Sequence, residues 1–525
     1  MRLDGRAWIP KSVLTDDHIY NIKASLTVQP RKTSEYTESL PAPIRLFKET
    51  DDAIGVPMGW WNRNNSGKHA IKDLTTEGQP FGSCVSDAGV GWSDDPEWAE
   101  QLAAKNAVLE HFASVDCGGG IIQAGCAFGK TVTALRIAYD LGQRTLVIVN
   151  KGFFTSQWTK RIQEFMPGAR IGIVQQNKCE FEDRDIVIAM VHSLAQRDYD
   201  PLLYHSFGLI ITDECHRIGA PTWTDVIPQF KAKYRLGLSA TPRRKDGAED
   251  VFFEHIGPVV YKATGESVSP LVKRIQSTIE LKPVRYGSGA AVPVHKLKTS
   301  QVEKQISEDM VRNTIYADQV LKAVQAGRKV FVVSNFIEHL YVFQELLEQK
   351  LDGAGLGGTT IDWVTGQRFV YRKQSGTDEN GEPVYRECER SEGGRRFKVR
   401  RKVGKRYEMV WKSRQTTEAQ LDAAESAQII LATKQMIEEG FDVQALDVLV
   451  PLIPPYDIEQ MAGRVRRRCK PSKSKCESMC PWRAGSCEGK PRPIILEPVD
   501  VGVHKMERRH DARMKFYAEI GAFDG

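Results

Sequence analysis

Short apolar runs recur along much of this chain, separated by stretches with helical spacing. From Gly118 onward the runs are Gly120-Ile121-Ile122, Thr145-Leu146-Val147-Ile148-Val149, Asp185-Ile186-Val187-Ile188-Ala189, Leu209-Ile210-Ile211 and Arg235-Leu236-Gly237-Leu238. Runs without alternating polar positions suit strands buried on both faces, so they predict a parallel sheet with helices above and below. The pattern stops near Val260. A second block opens at Lys329-Val330-Phe331-Val332-Val333. It continues through Thr360-Ile361-Asp362-Trp363-Val364, Gln428-Ile429-Ile430-Leu431-Ala432, Leu446-Asp447-Val448-Leu449-Val450 and Pro493-Ile494-Ile495-Leu496. The predicted fold class is α/β. Two parallel-sheet lobes stand in tandem over 101–265 and 301–525, joined by a connector over 266–300 that contains Gly287-Ser288-Gly289.

Residues 1–100 lack strong helical periodicity. They hold extended stretches such as Tyr20-Asn21-Ile22-Lys23-Ala24-Ser25-Leu26-Thr27-Val28, and an aromatic and basic stretch, Gly59-Trp60-Trp61-Asn62-Arg63-Asn64-Asn65. A small, mostly β accessory domain that engages nucleic acid is expected, followed by a helix from Glu97 to about Ala113. Two segments look inserted into the second lobe. One spans 368–415 and carries fifteen Lys and Arg against seven Asp and Glu, with strands expected around Val403-Gly404-Lys405. The other, 469–487, is rich in cysteine.

At 525 residues the chain is too long for a single core and suggests roughly three domains. No apolar run reaches the ~18 residues of a membrane span. The N-terminal Met1-Arg2-Leu3-Asp4-Gly5-Arg6 lacks the apolar centre of a signal peptide, so a cytoplasmic protein is expected. A net charge of +6 does not by itself imply a nucleic-acid partner. Four of the ten cysteines, Cys469, Cys476, Cys480 and Cys487, cluster in a way that suggests a metal rather than disulfides.

The candidate chemistry sits at strand ends. Ala124-Gly125-Cys126-Ala127-Phe128-Gly129-Lys130-Thr131 follows one predicted strand and opens a helix, with the spacing of a Walker A loop. Backbone amides and the helix N-terminus would cradle phosphates. Lys130 would reach the β- and γ-phosphates, and Thr131 would ligate Mg2+. Asp213-Glu214-Cys215-His216 follows another buried run. Asp213 would hold Mg2+ and Glu214 would orient or deprotonate the attacking water. Ser239-Ala240-Thr241 is expected to end the last strand of the first lobe, where its hydroxyls can bond to the acidic motif. In the second lobe, Gln460-Met461-Ala462-Gly463-Arg464-Val465-Arg466-Arg467 places Arg464 and Arg467 one helical turn apart, suited to a transferring phosphoryl group.

This ordered set resembles superfamily 2 DEAD/DEAH-like helicases, which implies RecA-like lobes with ATP bound between them. Thr241-Pro242-Arg243-Arg244-Lys245-Asp246-Gly247 and Gln157-Trp158 are similar to the XPB and phage UvsW group, and Leu46-Phe47-Lys48-Glu49-Thr50 with Val56-Pro57 to its phage members. The resemblance implies ATP-driven movement on DNA and remodelling of forks, R-loops or Holliday junctions. It assigns Gly440 and Asp442, within Glu439-Gly440-Phe441-Asp442, to nucleotide handling, and Lys151, His192 and Ser193 to the nucleic-acid backbone. Gln101 is either an adenine contact or an exposed helix residue. The chain departs from the family at Ala127, usually Gly, and at Asn150-Lys151, often Pro-Thr. No nuclease motif is evident, which argues against a restriction-enzyme motor subunit.

The cysteine spacing suits tetrahedral Zn2+, an iron–sulfur cluster, or unliganded thiols, with zinc preferred. The basic insertion reads either as a solvated hairpin or as a DNA-contacting wedge built on Arg400, Arg401, Lys402, Lys405 and Arg406. The expected protein is a monomeric ATP-dependent helicase or translocase on branched or forked DNA. RNA unwinding, duplex translocation without strand separation, and a non-catalytic ATP-binding clamp are the alternatives.

Overall fold

The computed structural model describes residues 1–31, 41–65, 71–86, 98–115, 118–125, 128–244, 246–263, 269–285, 291–377, 383–388, 395–396, 398–403, 406–411, 413–438, 446–466 and 492–522. The chain divides into two compact units, Met1–Glu266 and Ser267–Gly525. Both are built on large parallel sheets, as expected of tandem RecA-like lobes.

In the first unit eight strands run in the spatial order Lys178–Cys179, Ile171–Gln175, Ile186–Met190, Thr145–Val149, Leu209–Thr212, Tyr234–Ser239, Gly119–Gln123 and Val259–Lys262. Every pairing is parallel except that of Lys178–Cys179. Side chains alternate between two cores, as a period of two requires. Ile121, Leu146, Ile148 and Ile210 enter one, whereas Ile122, Val147, Val149 and Ile211 enter the other. Helices Ala99–Ala113, Lys130–Leu141 and Gly152–Phe165 close the second core with Val108, Leu135, Trp158 and Ile162. The strand ending at Ser239 is not the last of this sheet, because Val259–Lys262 adds a further strand beside Gly119–Gln123.

The N-terminal residues supply much of the first core. A five-stranded sheet, containing Ala7–Pro10 and Ala53–Val56 at its centre, contributes Leu3, Ile9, Ile54 and Val56 to the same cluster as Trp223 and Phe252. Buried Arg6 donates to the carbonyls of Leu46 and Thr224, which ties the two parts together. Tyr20–Val28 is mostly helical rather than extended: a helix spans Asp16–Ser25 and only Thr27–Val28 is strand. The cause is local. Thr15 caps the helix by accepting from His18 N–H, Asp16 and Asp17 favour its first turn, and buried Ile22 and Leu26 lie four residues apart. The Trp60-Trp61 stretch also forms a short helix, Met58–Asn64.

The second unit has a six-stranded parallel sheet in the order Leu271–Thr278, Ile494–Val501, Val448–Pro451, Val330–Ser334, Ile429–Thr433 and Ile361–Val364. The expected connector over 266–300 is thus partly sheet. Leu271–Thr278 pairs along its length with a strand near the C-terminal end of the chain, a partner invisible to local pattern. The basic insertion leaves after Ile361–Val364 and forms antiparallel pairs, Tyr371–Thr377 with Pro383–Cys388 and Lys398–Val403 with Arg406–Trp411. Its base is closed by Gln367–Phe369 against Ser413–Gln415. Among the described residues no helix is long and apolar enough to cross a membrane.

Candidate active site

The first unit gathers its candidate residues at the C-terminal ends of four adjacent strands, where ligands of open parallel sheets bind. Gly119–Gln123 leads into the phosphate loop, and Ala124 N–H donates to the Ser239 carbonyl at 3.0 Å, joining two motifs. Gly129 takes φ +92°, a left-handed conformation that a Cβ would oppose, and starts the Lys130–Leu141 helix. The Lys130 ammonium donates to the carbonyls of Ala124, 2.8 Å, and Gly125, 3.3 Å. Thr131 lies in the first helical turn. Cys126 and Ala127 lie outside the described residues. Gln101 is 3 % exposed, so it is not an exposed helix residue. Its Nε2 donates to the Phe128 carbonyl at 2.6 Å and braces the loop from behind, while its buried Oε1 has no partner among the described residues.

Asp213 stands at the end of Leu209–Thr212. Its Oδ1 accepts from Glu214 N–H at 3.0 Å and its Oδ2 from the Trp158 indole at 2.9 Å. Burial and the neighbouring Glu214 carboxylate push Asp213 up to about 6, against the opposing pull of Trp158 and Lys130. Glu214 has φ +46°, unusual for a residue with a side chain and a place where strain is stored. Its buried Oε2 has no hydrogen-bond donor among the described residues, and His216 Nδ1 stands 3.5 Å away. His216 Nδ1 pairs with Ser239 Oγ at 2.9 Å. Burial depresses His216 to about 4 despite Glu214, so its ring is neutral near pH 7. Asp213, Glu214, His216 and Ser239 therefore stand as one close-set group, in which Asp213–Glu214 and His216–Ser239 are hydrogen-bonded and Glu214 approaches His216 at 3.5 Å without a hydrogen bond. Ala240 and Thr241 follow directly, and Arg244 closes the segment by gripping Asp246 at 2.7 Å and the Ile218 carbonyl at 2.8 Å.

The tie from Trp158 to Asp213 is not visible in the sequence, which marks Gln157-Trp158 only through a family resemblance; Trp158 lies on the helix after Thr145–Val149, the strand adjacent to the acidic one. The residues assigned to nucleic acid are not grouped alike. Lys151 precedes the Gly152–Phe165 helix and His192 is exposed on Val191–Gln196. Ser193, in contrast, is buried, and its hydroxyl accepts from Gln176 N–H at 2.9 Å.

In the second unit Gln460 and Arg464 lie on the Glu459–Val465 helix. That helix ends before Arg467, which lies outside the described residues, as do Gly440 and Asp442. Arg464 is buried and donates to the Ile437 carbonyl at 3.3 Å, while its Nε has no partner among the described residues. The loop before the helix is clamped. Arg312, Arg509 and Arg513 each donate at 2.5 Å, to the carbonyls of Leu452, Pro454 and Pro455 respectively. Each of these arginines is backed by a carboxylate: Asp500 at 2.7 Å, Glu303 at 2.7 Å and Glu497 at 2.6 Å. Burial pushes Glu497 up, but His510, Arg513 and Tyr517 outweigh it and hold the carboxyl below its usual value.

Arg400, Arg401, Lys402 and Arg406 lie on the two strands of the second hairpin, and Lys405 at its turn is outside the described residues. Cys469, Cys476, Cys480 and Cys487 are also outside. Among the described residues no group of three or more His, Cys, Asp or Glu could hold a metal ion.

Residues 98–244 match the family described as "Type III restriction enzyme, res subunit", and this stretch contains the phosphate loop and the acidic motif. A putative ATP-dependent RNA helicase of Acanthamoeba polyphaga mimivirus is 24% identical over 527 residues, covering 97% of this chain and 83% of that protein. The DNA 3'-5' translocase XPB2 of Sulfurisphaera tokodaii is 31% identical over 29% of this chain and 33% of its own length. The crystal structure of T4 UvsW superposes with a TM-score of 0.35 at 14% identity, covering 96% of this chain and 94% of that one. The chain is thus similar over nearly its whole length to a viral protein named as a helicase, and over a shorter stretch to a DNA translocase.

Proposed function

We propose that this protein is a superfamily 2 helicase that hydrolyses ATP, remodels branched or forked DNA and works as a monomer. The observation that carries the hydrolytic part is the close grouping of Asp213, Glu214, His216 and Ser239 at adjacent strand ends beside the loop that holds Lys130. ATP and Mg2+ are general to the superfamily, and the donor set here fits them. Lys130 supplies a cation at the start of the helix after the loop, the Thr131 hydroxyl and Asp213 carboxylate are hard oxygen ligands, and the buried Glu214 Oε2 lacks a donor among the described residues. When bound, Mg2+ neutralises charge on the phosphates. Lys130 grips the β- and γ-phosphates, and Glu214 takes a proton from the attacking water. Arg464 and Arg467 stabilise charge on the transferring phosphoryl group, with Gln460 beside them. Gly440 and Asp442 handle the nucleotide. Gln101 braces the phosphate loop and contacts adenine. His216 and Ser239 carry the state of the nucleotide into the next motif.

Lys151 and His192 hold the nucleic-acid backbone, and the 368–415 insertion contacts DNA through Arg400, Arg401, Lys402, Lys405 and Arg406. The four clustered cysteines hold one Zn2+. Elemental analysis of protein prepared without chelator separates zinc from iron, and absence of both returns them to plain thiols. RNA is the second reading, favoured by the name of the mimiviral relative. The deciding experiment compares ATPase stimulation and unwinding on forked DNA, four-way DNA, an R-loop and an RNA duplex. Preference for the RNA duplex would overturn the DNA assignment.

A further inference from the structure

We infer that Trp158 is a positioning residue that fixes the Asp213 carboxylate for the metal ion of the nucleotide. This rests on the reading of Asp213 as the metal-holding residue. A carboxylate turns about a broad, roughly two-fold torsion, so one hydrogen bond leaves its plane loosely set. Asp213 has two, on opposite oxygens. The bond to Oδ1 comes from the backbone N–H of Glu214, which any residue there would supply. The bond to Oδ2 comes from a side chain on a different element, 55 positions away in sequence. That side chain cannot wander: Trp158 is 1 % exposed and packs in the core beneath the sheet.

The choice of an indole is informative. Its nitrogen is a donor only, so it cannot turn to ligate the metal itself. It is also uncharged, so it orients the carboxylate without neutralising it, as a lysine or arginine would. Each carboxylate oxygen has two lone pairs. One on each accepts inside the protein, so these two bonds leave one on each uncommitted. Orienting partners behind a metal ligand commonly contribute ten- to a hundredfold in metal affinity.

The test uses the full-length chain with Mn2+ as the probe, followed by its electron paramagnetic resonance signal in the presence of ADP. Trp158→Phe keeps a buried ring and removes the donor. It should weaken Mn2+ binding about tenfold or more. Affinity for fluorescent ADP in EDTA should stay within about twofold, because the phosphate loop is untouched. Ile162→Val, a pure packing change in the same core, should lower the melting temperature without moving the Mn2+ constant. If Trp158→Phe does not fold, β-(3-benzothienyl)alanine at position 158 keeps the bicyclic shape and replaces N–H by sulfur, and the same loss is expected. Unchanged Mn2+ affinity in the donor-free variant overturns the inference, as does an equal loss of metal-free ADP binding. Asp213→Asn separates the two levels. If it too leaves Mn2+ binding unchanged, the metal assignment of Asp213 has failed, not the orienting role alone.

Discussion

In the first unit, the residues proposed to meet phosphate stand at the ends of neighbouring strands, and main-chain hydrogen bonds hold them. Ala124 N–H donates to the Ser239 carbonyl and Asp213 N–H to that of Ile148. In the second unit, the helix carrying Arg464 follows a loop outside the sheet, and three guanidinium groups grip its carbonyls. Pro454 and Pro455 explain part of the contrast. Proline has no N–H, so this loop cannot close an ordinary network of its own, and its carbonyls need donors from elsewhere. Arginine offers five. Arg312 and Arg513, both buried, then require a carboxylate, because an unpaired buried charge is costly, and half-buried Arg509 is paired too. Strand ends aim chemical groups through order the sheet already has. A loop must have its order imposed from outside, by ion pairs that fix geometry more than they add stability.

The largest effects should come from breaking the chemistry on either side of this comparison. Lys130→Ala and Glu214→Gln should each cut steady-state ATP hydrolysis by about a hundredfold or more. Lys130→Ala should also weaken nucleotide binding, whereas Glu214→Gln should retain it. Arg464→Ala should lose turnover to a similar degree and keep most ATP affinity, measured with a fluorescent analogue. Normal DNA-stimulated turnover in any of the three would remove that residue from the mechanism.

Next in size is the clamp. Arg513→Met leaves buried Glu497 with His510 and Tyr517 as its hydrogen-bonding side chains among the described residues, and should cost about 3–5 kcal/mol in denaturant unfolding. Arg513→Met combined with Glu497→Gln should cost much less, since no unpaired charge remains. A double variant as unstable as the single one would show that packing, not charge pairing, holds the loop.

The hairpin predicts a smaller, salt-dependent change. Neutralising Arg400, Arg401, Lys402, Lys405 and Arg406 together should flatten the log–log salt dependence of DNA binding, by nearly one unit for each phosphate no longer neutralised. Basal ATPase should persist. An unchanged slope would make the hairpin a solvated surface or a protein-binding one.

The smallest effect concerns pH. Burial depresses His255 to about 3, with Arg6 adding to the shift. The unfolded chain takes up this proton near pH 6.5 and the folded one does not until about pH 3. Stability from this group is therefore complete above pH 6.5 and declines as pH falls towards 3, by at most about 1.4 kcal/mol per pH unit. His255→Phe should flatten that decline in denaturant titrations from pH 7 to 5, and an unchanged slope would exclude His255 as its source.

The central strands are plain in the sequence because burial on both faces leaves continuous apolar runs. Thr145–Val149 has the same bounds in the structure. Ile171–Gln175 is not, since alternate residues of this strand near the sheet edge are only half buried and the run is broken. The helix Asp16–Ser25 reads as extended because its apolar stripe is thin, with Ile22 as its sole buried residue. The phosphate loop and acidic motif are legible through spacing alone. Their supports are not: Trp158 meets Asp213, and Arg312 meets Asp500, only after the chain has folded. Arg509 and Arg513 look like ordinary charges of the His504–Glu519 helix, and nothing local distinguishes them from solvated ones.

The pairing of Leu271–Thr278 with Ile494–Val501 has a consequence in time. Ser277 and Asp500, hydrogen-bonded at 2.6 Å, are separated by 223 residues. At ~5–20 residues per second of synthesis, the earlier strand waits roughly 10–40 s for its partner to leave the ribosome. Throughout that wait Val272 and Ile275, both buried in the finished sheet, lie open to chaperones or to another nascent chain. Asp500 arrives on the late strand as well, so until then Arg312 lacks the carboxylate that grips its guanidinium. Slow codons between the two strands would lengthen the exposure, and yield in a chaperone-poor translation system should be sensitive to them.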